Sequence, residues 1–251
     1  MASTKHVYNM RHGQRGLAYI INNVKFDNLT ERTGSDLDEE RLTERFSALQ
    51  FTVKTFRNRK STQMVDLLDR ASREDHSDRD CFVCVILSHG EEDRIYGTDG
   101  PVEVTKLLDP FKGHRCGSLA GKPKLFFIQA CRGTEPDYGA DVLSVKGDGD
   151  NEDVDDDVLI YRIPREADFL VAYSTVNGFK SWRNTRKGSW FILALCKVLE
   201  EHGTTLDLMT MMTRVNHIVA HDYSAKDLAT TKKQIPCITS MLTKDLFFHP
   251  K

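Results

Sequence analysis

Short apolar runs alternate along the chain with longer segments in which apolar residues recur at helical spacing. Runs that end in polar or glycine-bearing segments are typical of buried strands, and the sequence predicts them at residues 17–21, 82–87, 125–128, 169–173 and 235–242. Helical spacing predicts helices around Leu42, Phe46 and Leu49, around Met64, Leu68 and Ala71, over residues 190–199, and around Leu208, Met212, Val215 and Val219. Because strand and helix alternate, we expect an α/β fold with a largely parallel, helix-covered sheet.

Length and composition restrict the class of protein. The chain has 251 residues, 39% hydrophobic and 29% charged, which is ordinary for a globular protein with one core or two closely packed halves. No apolar run approaches the roughly 18 residues that a membrane helix needs, so we expect no membrane partner. The first residues carry no secretory signal and the six cysteines are scattered, which favours a reducing, cytoplasmic location.

The charge is unevenly distributed. The formal net charge is −2, yet residues 148–157 alone contribute −7 without a cation, which leaves +5 for the remaining chain. Elsewhere Lys and Arg are dispersed among acids rather than gathered in a stripe, so we expect no nucleic-acid partner.

The acidic run lies in a polar stretch, residues 134–160, which breaks the alternation and predicts a solvated loop. Three interpretations are open: a tolerated surface insertion, a calcium loop, or a site of proteolytic cleavage. Calcium is disfavoured, because the run that begins at Asp148 lacks glycine at its sixth position and has Leu159 where a bidentate Glu is required.

Two predicted strands end in residues that can carry chemistry. The strand over 82–87 is followed by Ser88, His89 and Gly90, and the strand over 125–128 leads to Cys131. Ligands collect at the carboxyl ends of parallel strands, so the imidazole and the thiol could share one crevice as base and nucleophile. Gly90 permits close backbone approach, and its N–H could form an oxyanion hole with that of Cys131. The alternative is a buried structural cysteine and a satisfied histidine.

Cys81 and Cys84 form a C-x-x-C pair, normally a redox or metal signal. Residues three apart in a strand point to opposite faces, so we interpret both as buried strand cysteines. No second ligand cluster, phosphate loop or dinucleotide fingerprint accompanies them, and we expect neither a metal nor another cofactor.

The segment Gln-Ala-Cys-Arg-Gly at 129–133 is a nucleophile signature of caspases, whose histidine lies about 50 residues upstream; here the separation is 42. The chain resembles the caspase family, particularly its effector members, almost from end to end. Further matching stretches lie at 20–23, 87–92, 121–125, 163–164, 166–170, 181–184, 188–191 and 233–237.

The resemblance implies an effector (executioner) caspase of apoptosis, a cysteine endopeptidase that cuts after aspartate. It implies a mostly parallel sheet with helices on both faces, a large subunit at 1–140, a linker at 141–158 and a small subunit at 159–251. Cys131, His89 and Gly90 match the catalytic positions. Substrate-binding positions are matched by Arg32, Gln129 and Arg183 at the aspartate pocket and by Ser181, Trp182, Asn184 and Trp190 around the outer subsites.

Two departures from the family pattern bear on the outer subsites. Lys180 stands where effector members usually carry an aromatic residue, and the segment 220–231 is shorter and less aromatic than the corresponding effector loop. The preference for residues before the aspartate is therefore less well specified than the requirement for aspartate itself.

The resemblance also implies processing and assembly. Family members are cut in the linker, where we favour Asp148 because small Gly149 follows it; the other candidates are Asp141, Asp150 and Asp153. An upstream protease is a further expected partner. A homodimer of large/small heterodimers would pair through the last strand, near residues 237–242.

Two other functions compete with this interpretation. One is a catalytically silent caspase-like signalling scaffold, against which the intact His89, Gly90 and Cys131 argue. The other is a related Cys-His hydrolase with a different specificity pocket.

Overall fold

The computed structural model describes residues 4–137, 164–226 and 231–251, in which strands and helices alternate. The strands are β1 (Gln14–Asn22), β2 (Thr52–Arg57), β3 (Arg79–Leu87), β4 (Gly90–Glu91), β5 (Arg94–Tyr96), β6 (Pro101–Glu103), β7 (Lys124–Gln129), β8 (Phe169–Tyr173), β9 (Arg183–Asn184), β10 (Gly188–Ser189), β11 (Ala225–Lys226), β12 (Thr231–Lys232) and β13 (Cys237–Ser240). The helices are α1 (Ser35–Ala48), α2 (Ser61–Ser72), α3 (Val104–Leu108), α4 (Trp190–His202) and α5 (Leu208–Asp222), with 3-10 turns at Thr4–His6, Asp109–Phe111 and Gly117–Leu119. The candidate processing residues Asp141, Asp148, Asp150 and Asp153 lie outside the described residues.

The central sheet has the strand order β13-β8-β7-β3-β1-β2. Every neighbouring pair in it is parallel except β13 and β8, which pair antiparallel at one edge. The predicted α/β class and mostly parallel sheet are therefore confirmed. The last predicted strand, residues 235–242, is shorter in the structure, where β13 covers only Cys237–Ser240.

Alternating residues of the strands build two apolar cores, one on each face of the sheet. The first core packs the sheet against α1, α4 and α5, and the second packs it against α2 and α3. Cys81 lies in the first core and Cys84 in the second, both with no exposed surface. The expectation that the two thiols point to opposite faces is confirmed.

The predicted helices form close to their expected bounds. Helix α2 begins at Ser61, helix α4 ends at His202 directly before Gly203, and Leu49 follows the last residue of α1 as its C-cap. Strand β2 was not predicted; it lies at the edge of the sheet, where its side chains are exposed or half-buried. No helix in the described part of the chain is both long and apolar enough to span a bilayer.

Strands β3 and β7 are neighbours in the sheet, with Leu87 in register with Gln129. Parallel neighbours in register end at the same edge, so the residues that follow them emerge side by side. This pairing places His89 and Cys131 at the carboxyl ends of two adjacent central strands.

Candidate active site

The segments after β3 and β7 touch each other at Gly90. A Cβ atom on Gly90 would lie 2.8 Å from the carbonyl oxygen of Cys131 and 2.9 Å from the Cβ of Ala130. Any side chain at this position would push the two segments apart, so glycine is needed for the close approach. The structure thus brings the backbones of Gly90 and Cys131 together, as the sequence predicts.

The thiol of Cys131 is half-buried and contacts the segment that follows β8. The backbone N–H of Ser181 donates to its Sγ at 3.4 Å, and Sγ lies 3.8 Å from the carbonyl oxygen of Ser181. The next residue, Arg132, donates its backbone N–H to Phe179 at 3.0 Å and accepts one from Gly178 at 2.8 Å. These bonds join residues 131–132 to residues 178–181, which lie on the other side of the acidic segment in the sequence. They thereby fix the position of the sulfur.

The imidazole of His89 is oriented by a backbone carbonyl. Its Nε2 lies 2.8 Å from the oxygen of Thr30, and its ring centroid is 4.8 Å from that of Phe26. Because a carbonyl oxygen only accepts, Nε2 carries the hydrogen, and Nδ1 keeps its lone pair as the basic nitrogen. Sequence reasoning missed Thr30, since a main-chain carbonyl leaves no signal in residue type.

The electrostatic surroundings keep His89 neutral. Burial lowers the pKa of its imidazole below the ordinary value, and the positive charges of Arg32 and Arg183 lower it further, against the opposing effect of the Thr30 hydrogen bond. A neutral imidazole near pH 7 can accept a proton.

Arg32 and Arg183 come from different parts of the chain and lie close enough for their charges to interact. Arg32 is 1% exposed, and its Nη1 donates to the oxygen of Asn23 at 3.1 Å and to Oγ of Ser35 at 2.7 Å. Nε of Arg183 donates to the oxygen of Thr33 at 3.0 Å. The two segments that carry the arginines are therefore in direct contact.

The two guanidiniums and the thiol lie within electrostatic reach of each other. Burial, followed by the charge of Arg183, lowers the pKa of Arg32 to about 9, and burial lowers the pKa of Arg183 as well. The electrostatic interaction with Cys131 acts in the opposite direction and raises the pKa of both arginines. Both arginines remain cationic at neutral pH, so a concentrated positive charge lies beside the sulfur.

A chain of polar side chains supports Arg32 from behind. Ser35 accepts from Arg32 and donates to Oδ1 of Asn22 at 2.7 Å, and Nδ2 of Asn22 donates to Glu39 at 2.8 Å. Glu39 pairs with Arg57 on strand β2 at 3.0 Å. Every buried member is hydrogen-bonded, which fixes the guanidinium without placing a carboxylate directly on it.

Gln129 is the last residue of strand β7, two residues before Cys131. Its Nε2 donates to Oγ of Ser181 at 2.8 Å, while its Oε1 is buried without a hydrogen-bond partner. Rotating the amide by half a turn lets Oε1 accept from the Ser181 hydroxyl and puts an N–H donor at the buried position that lacks a partner.

Trp182 and Trp190 belong to one aromatic cluster. Their ring centroids are 6.2 Å apart, and the ring of Trp190 stacks on Tyr223 at 5.6 Å. Trp190 is only 8% exposed, so it supports Trp182 more than it faces the cleft. The ammonium of Lys232 lies 5.2 Å above the Trp182 ring, and Gln234 accepts the Trp182 backbone N–H at 2.6 Å.

Lys180 and Asn184 lie two residues before and two residues after Trp182 in the sequence. Oδ1 of Asn184 accepts the backbone N–H groups of Arg186 and Lys187, at 2.8 Å and 3.0 Å, and so shapes the turn between β9 and β10. The backbone N–H of Lys180 donates to Glu135 at 2.9 Å.

A thiol and a neutral imidazole at adjacent strand ends, with two buried or half-buried guanidiniums within electrostatic reach of the thiol, are the groups that a cysteine hydrolase acting on an acidic side chain needs. The family model described as "Caspase domain" matches residues 15–247. The chain is 48% identical to Caspase-7 of Gallus gallus over 247 residues, which cover 96% of this chain and 79% of the relative. It is 48% identical to Caspase-3 of Mesocricetus auratus over 248 residues, with 96% and 87% covered.

The fold gives the same result. The crystal structure of Caspase-1 from Spodoptera frugiperda superposes with a TM-score of 0.90 at 40% sequence identity, covering 100% of this chain and 98% of that one. The chain belongs to the caspase family. It is a cysteine-type endopeptidase of the effector type, which acts in apoptosis, and none of these comparisons supports a silent scaffold.

Proposed function

We propose that Cys131 is the nucleophile with which this chain hydrolyses proteins after aspartate, and that Arg32, Gln129 and Arg183 bind the aspartate side chain. The observation that carries this proposal is the pair of guanidiniums on contacting segments within electrostatic reach of the thiol, one of them 1% exposed and neither directly paired with a carboxylate in the described residues.

The reaction follows from the tautomer of His89. Nδ1 accepts the thiol proton, and the sulfur of Cys131 forms a bond to the scissile carbonyl carbon as the carbonyl π electrons move onto oxygen. The N–H groups of Gly90 and Cys131 stabilise this oxyanion. His89 then donates the proton to the leaving amine as the carbon–nitrogen bond breaks, and a thioester remains.

Hydrolysis of the thioester regenerates the enzyme. His89 takes a proton from water, the hydroxide oxygen bonds to the carbonyl carbon, and the carbon–sulfur bond breaks. The thiolate recovers the proton from the imidazole, and the peptide leaves as a carboxylic acid that loses its proton to bulk water. The carbonyl oxygen of Thr30 holds the imidazole in place throughout, because it is bonded to the nitrogen that does not react.

Charge and geometry account for the choice of aspartate. Two guanidiniums can hold one carboxylate through planar, charge-assisted hydrogen bonds, and the rotated amide of Gln129 adds a neutral donor. Asparagine in the substrate would leave buried cations uncompensated. Sites of this kind discriminate by as much as about 10⁴ to 10⁵.

The outer subsites are formed by the aromatic cluster around Trp182. Ser181 presents backbone to an extended substrate, while Trp182, supported by Trp190, offers an apolar wall and Asn184 a polar contact. Lys180, in place of an aromatic residue, favours polar or acidic groups at the neighbouring subsite.

Processing would divide the chain into a large subunit at 1–140 and a small one at 159–251, by a cut at Asp148 or at Asp141, Asp150 or Asp153, made by the enzyme itself or by an upstream protease. Both parts contribute to the site, since Cys131 contacts Ser181 and Arg183 contacts Thr33. The parallel pairing of β7 with β8 would hold them together after the cut.

Assembly would extend the sheet. Strand β13 pairs with β8 on one side only and is half-exposed, and a second copy could pair along its open edge. We place this homodimer of large/small heterodimers in the cytoplasm, in keeping with the unpaired cysteines of the described chain.

A peptide assay tests the function. The purified chain is offered matched peptides that differ only in aspartate, asparagine or arginine before the scissile bond, with Cys131→Ala as the control variant. We expect cleavage of the aspartate peptide alone, lost in Cys131→Ala. Equal rates on aspartate and arginine would refute the specificity, and absence of Cys131-dependent turnover after linker cleavage would favour the scaffold. The masses of the two fragments identify the processing site.

A further inference from the structure

A buried carboxylate, that of Asp38, connects the segments that carry the two arginines. Its hydrogen-bond partner Ser189 is in register with Arg183 across β9 and β10. Ser35, which accepts from Arg32, precedes Asp38 by three residues. Asp38, in the first turn of α1, has no exposed surface. It accepts the backbone N–H of Ser189 at 2.9 Å and the Ser189 hydroxyl at 2.6 Å. Among the described residues it makes no ion pair with Arg32 or with Arg183, although its charge acts on both.

Asp38 joins the two parts of the chain that build the cleft. Ser189 is the N-cap of α4 and lies in the proposed small subunit, whereas α1 lies in the proposed large subunit. A Cβ atom on Gly188 would overlap the Asp38 carboxylate, so the packing here is close. On the next turn of α1, Arg41 donates to the oxygen of Lys187 at 2.7 Å.

The charges explain why a carboxylate is needed there. Arg32 and Arg183 repel each other, and in the free enzyme no substrate carboxylate lies between them. Asp38 attracts both, yet it occupies neither guanidinium, because its direct hydrogen bonds go to Ser189. The donors that face the cleft are thereby left for a ligand.

We propose that Asp38 is a positioning residue whose buried charge holds Arg32 and Arg183 side by side for the aspartate of the substrate. This inference rests on the proposed function. Simple charge counting predicts that removing an anion near the arginines tightens the binding of an acidic peptide. This inference predicts the opposite, a weaker binding of the acidic peptide when the charge of Asp38 is removed.

The variant Asp38→Asn removes the charge and keeps an oxygen that accepts the N–H of Ser189. We expect KM for the aspartate peptide to rise about tenfold, the size expected for one member of a coupled charge cluster. We expect kcat, referred to active sites titrated with a thiol-reactive peptide inhibitor, to stay within about twofold of the parent value. A purely structural role would lower the titrated fraction and leave KM unchanged.

Two control variants separate charge from contact. Ser189→Ala removes the hydroxyl but keeps the carboxylate and its backbone bonds, and we expect KM within about threefold of the parent. Asp38→Glu keeps the charge on a longer side chain and should restore KM more closely than Asp38→Asn. Circular dichroism monitors folding, and if Asp38→Asn does not fold, the Ser189→Ala and Asp38→Glu variants carry the test.

An unchanged or lowered KM in Asp38→Asn would overturn the inference. So would an equal KM increase in Ser189→Ala, or an Asp38→Glu variant as impaired as Asp38→Asn. If the parent enzyme prefers aspartate while Asp38→Asn keeps its KM, this inference alone fails. If the parent enzyme does not distinguish aspartate from arginine, the proposed function fails and takes this inference with it.

Discussion

Arg15 and Arg32 are equally buried, each 1% exposed, but their guanidiniums have different partners. Arg15 lies at the opposite end of the sheet strands, where its Nη1 pairs with Asp80 at 3.2 Å and its other nitrogens donate to the carbonyl oxygens of Leu49 and His249. Within the described part of the chain, Arg32 donates only to the neutral oxygens of Asn23 and Ser35.

The carboxylates near these two arginines differ in the same way. The carboxylate oxygens of Asp80 lie within 3.2 Å of nitrogens of Arg15 and Lys251 and of the ring and backbone nitrogens of His12. Asp38 accepts hydrogen bonds only from Ser189 among the residues that the structure describes. A buried arginine that is paired directly with a carboxylate has a structural role, whereas one that is hydrogen-bonded only to neutral groups can still bind the carboxylate of a ligand.

The largest effect is expected when the available arginine is removed. Arg32→Met should lower kcat/KM on the aspartate peptide by about 10³-fold, because a buried charge partner of the substrate carboxylate is lost. Stability should change by no more than about 1 kcal/mol, since no carboxylate is left unpaired. Steady-state kinetics and urea denaturation measure the two quantities.

Arg183→Met serves as the companion variant, because it removes the second guanidinium from the same cleft. An Arg32→Met enzyme that retained its preference for aspartate would show that the absence of a paired carboxylate at Arg32 does not mark it as a substrate-binding residue.

The reverse pattern is expected for the paired arginine. Arg15→Met leaves Asp80 buried with fewer cations and should lower the free energy of unfolding by about 3 kcal/mol. Activity per folded molecule should stay within about twofold, because Arg15 lies at the far end of the strands. Urea unfolding, together with active-site titration, checks both statements.

The control is the double variant Arg15→Met/Asp80→Leu, in which both charges are replaced and much of the stability should return. If Arg15→Met lost as little stability as Arg32→Met, the ion pair of Arg15 with Asp80 would contribute no more to folding than the neutral contacts of Arg32.

The smallest effect concerns the titration of His89. Burial and the two cleft arginines lower its imidazole pKa, so the acid limb of kcat/KM should lie below the ordinary pH 6.5 of histidine. The base is active when neutral; a lowered pKa therefore extends activity toward acid pH, and activity is lost as pH falls through the shifted value.

NMR titration of the His89 ring sharpens this point. Removing the positive charge in Arg32→Met should raise the pKa of His89, while Arg15→Met should leave it where it was. Equal titration curves in the two variants would mean that the charge of Arg32 does not reach the imidazole.

The sequence predicted the part of the site that depends on strand order. His89 and Cys131 each follow an apolar run, and parallel neighbours end together, so their meeting could be expected from the order of residues alone. Arg32 could not be found in this way. An isolated arginine beside polar residues is typical of a solvated surface, and only the family resemblance pointed to it.

Thr30 and Asp38 lay beyond sequence reasoning altogether. Thr30 acts through its main-chain oxygen, and an acid in the first turn of a helix is ordinarily explained by the helix dipole. Strand β2 was missed for a related reason, because an edge strand with half-exposed side chains lacks a continuous apolar run.

The pairing of β7 with β8 has a thermodynamic consequence for the proposed cut enzyme. These strands lie on opposite sides of the acidic segment and share five register partners through the centre of the sheet. Once the covalent connection is severed, unfolding also releases two separate chains, so the melting temperature becomes a function of protein concentration. Proteolysis would thus convert a unimolecular stability into a bimolecular one while leaving the hydrogen-bonded sheet itself intact.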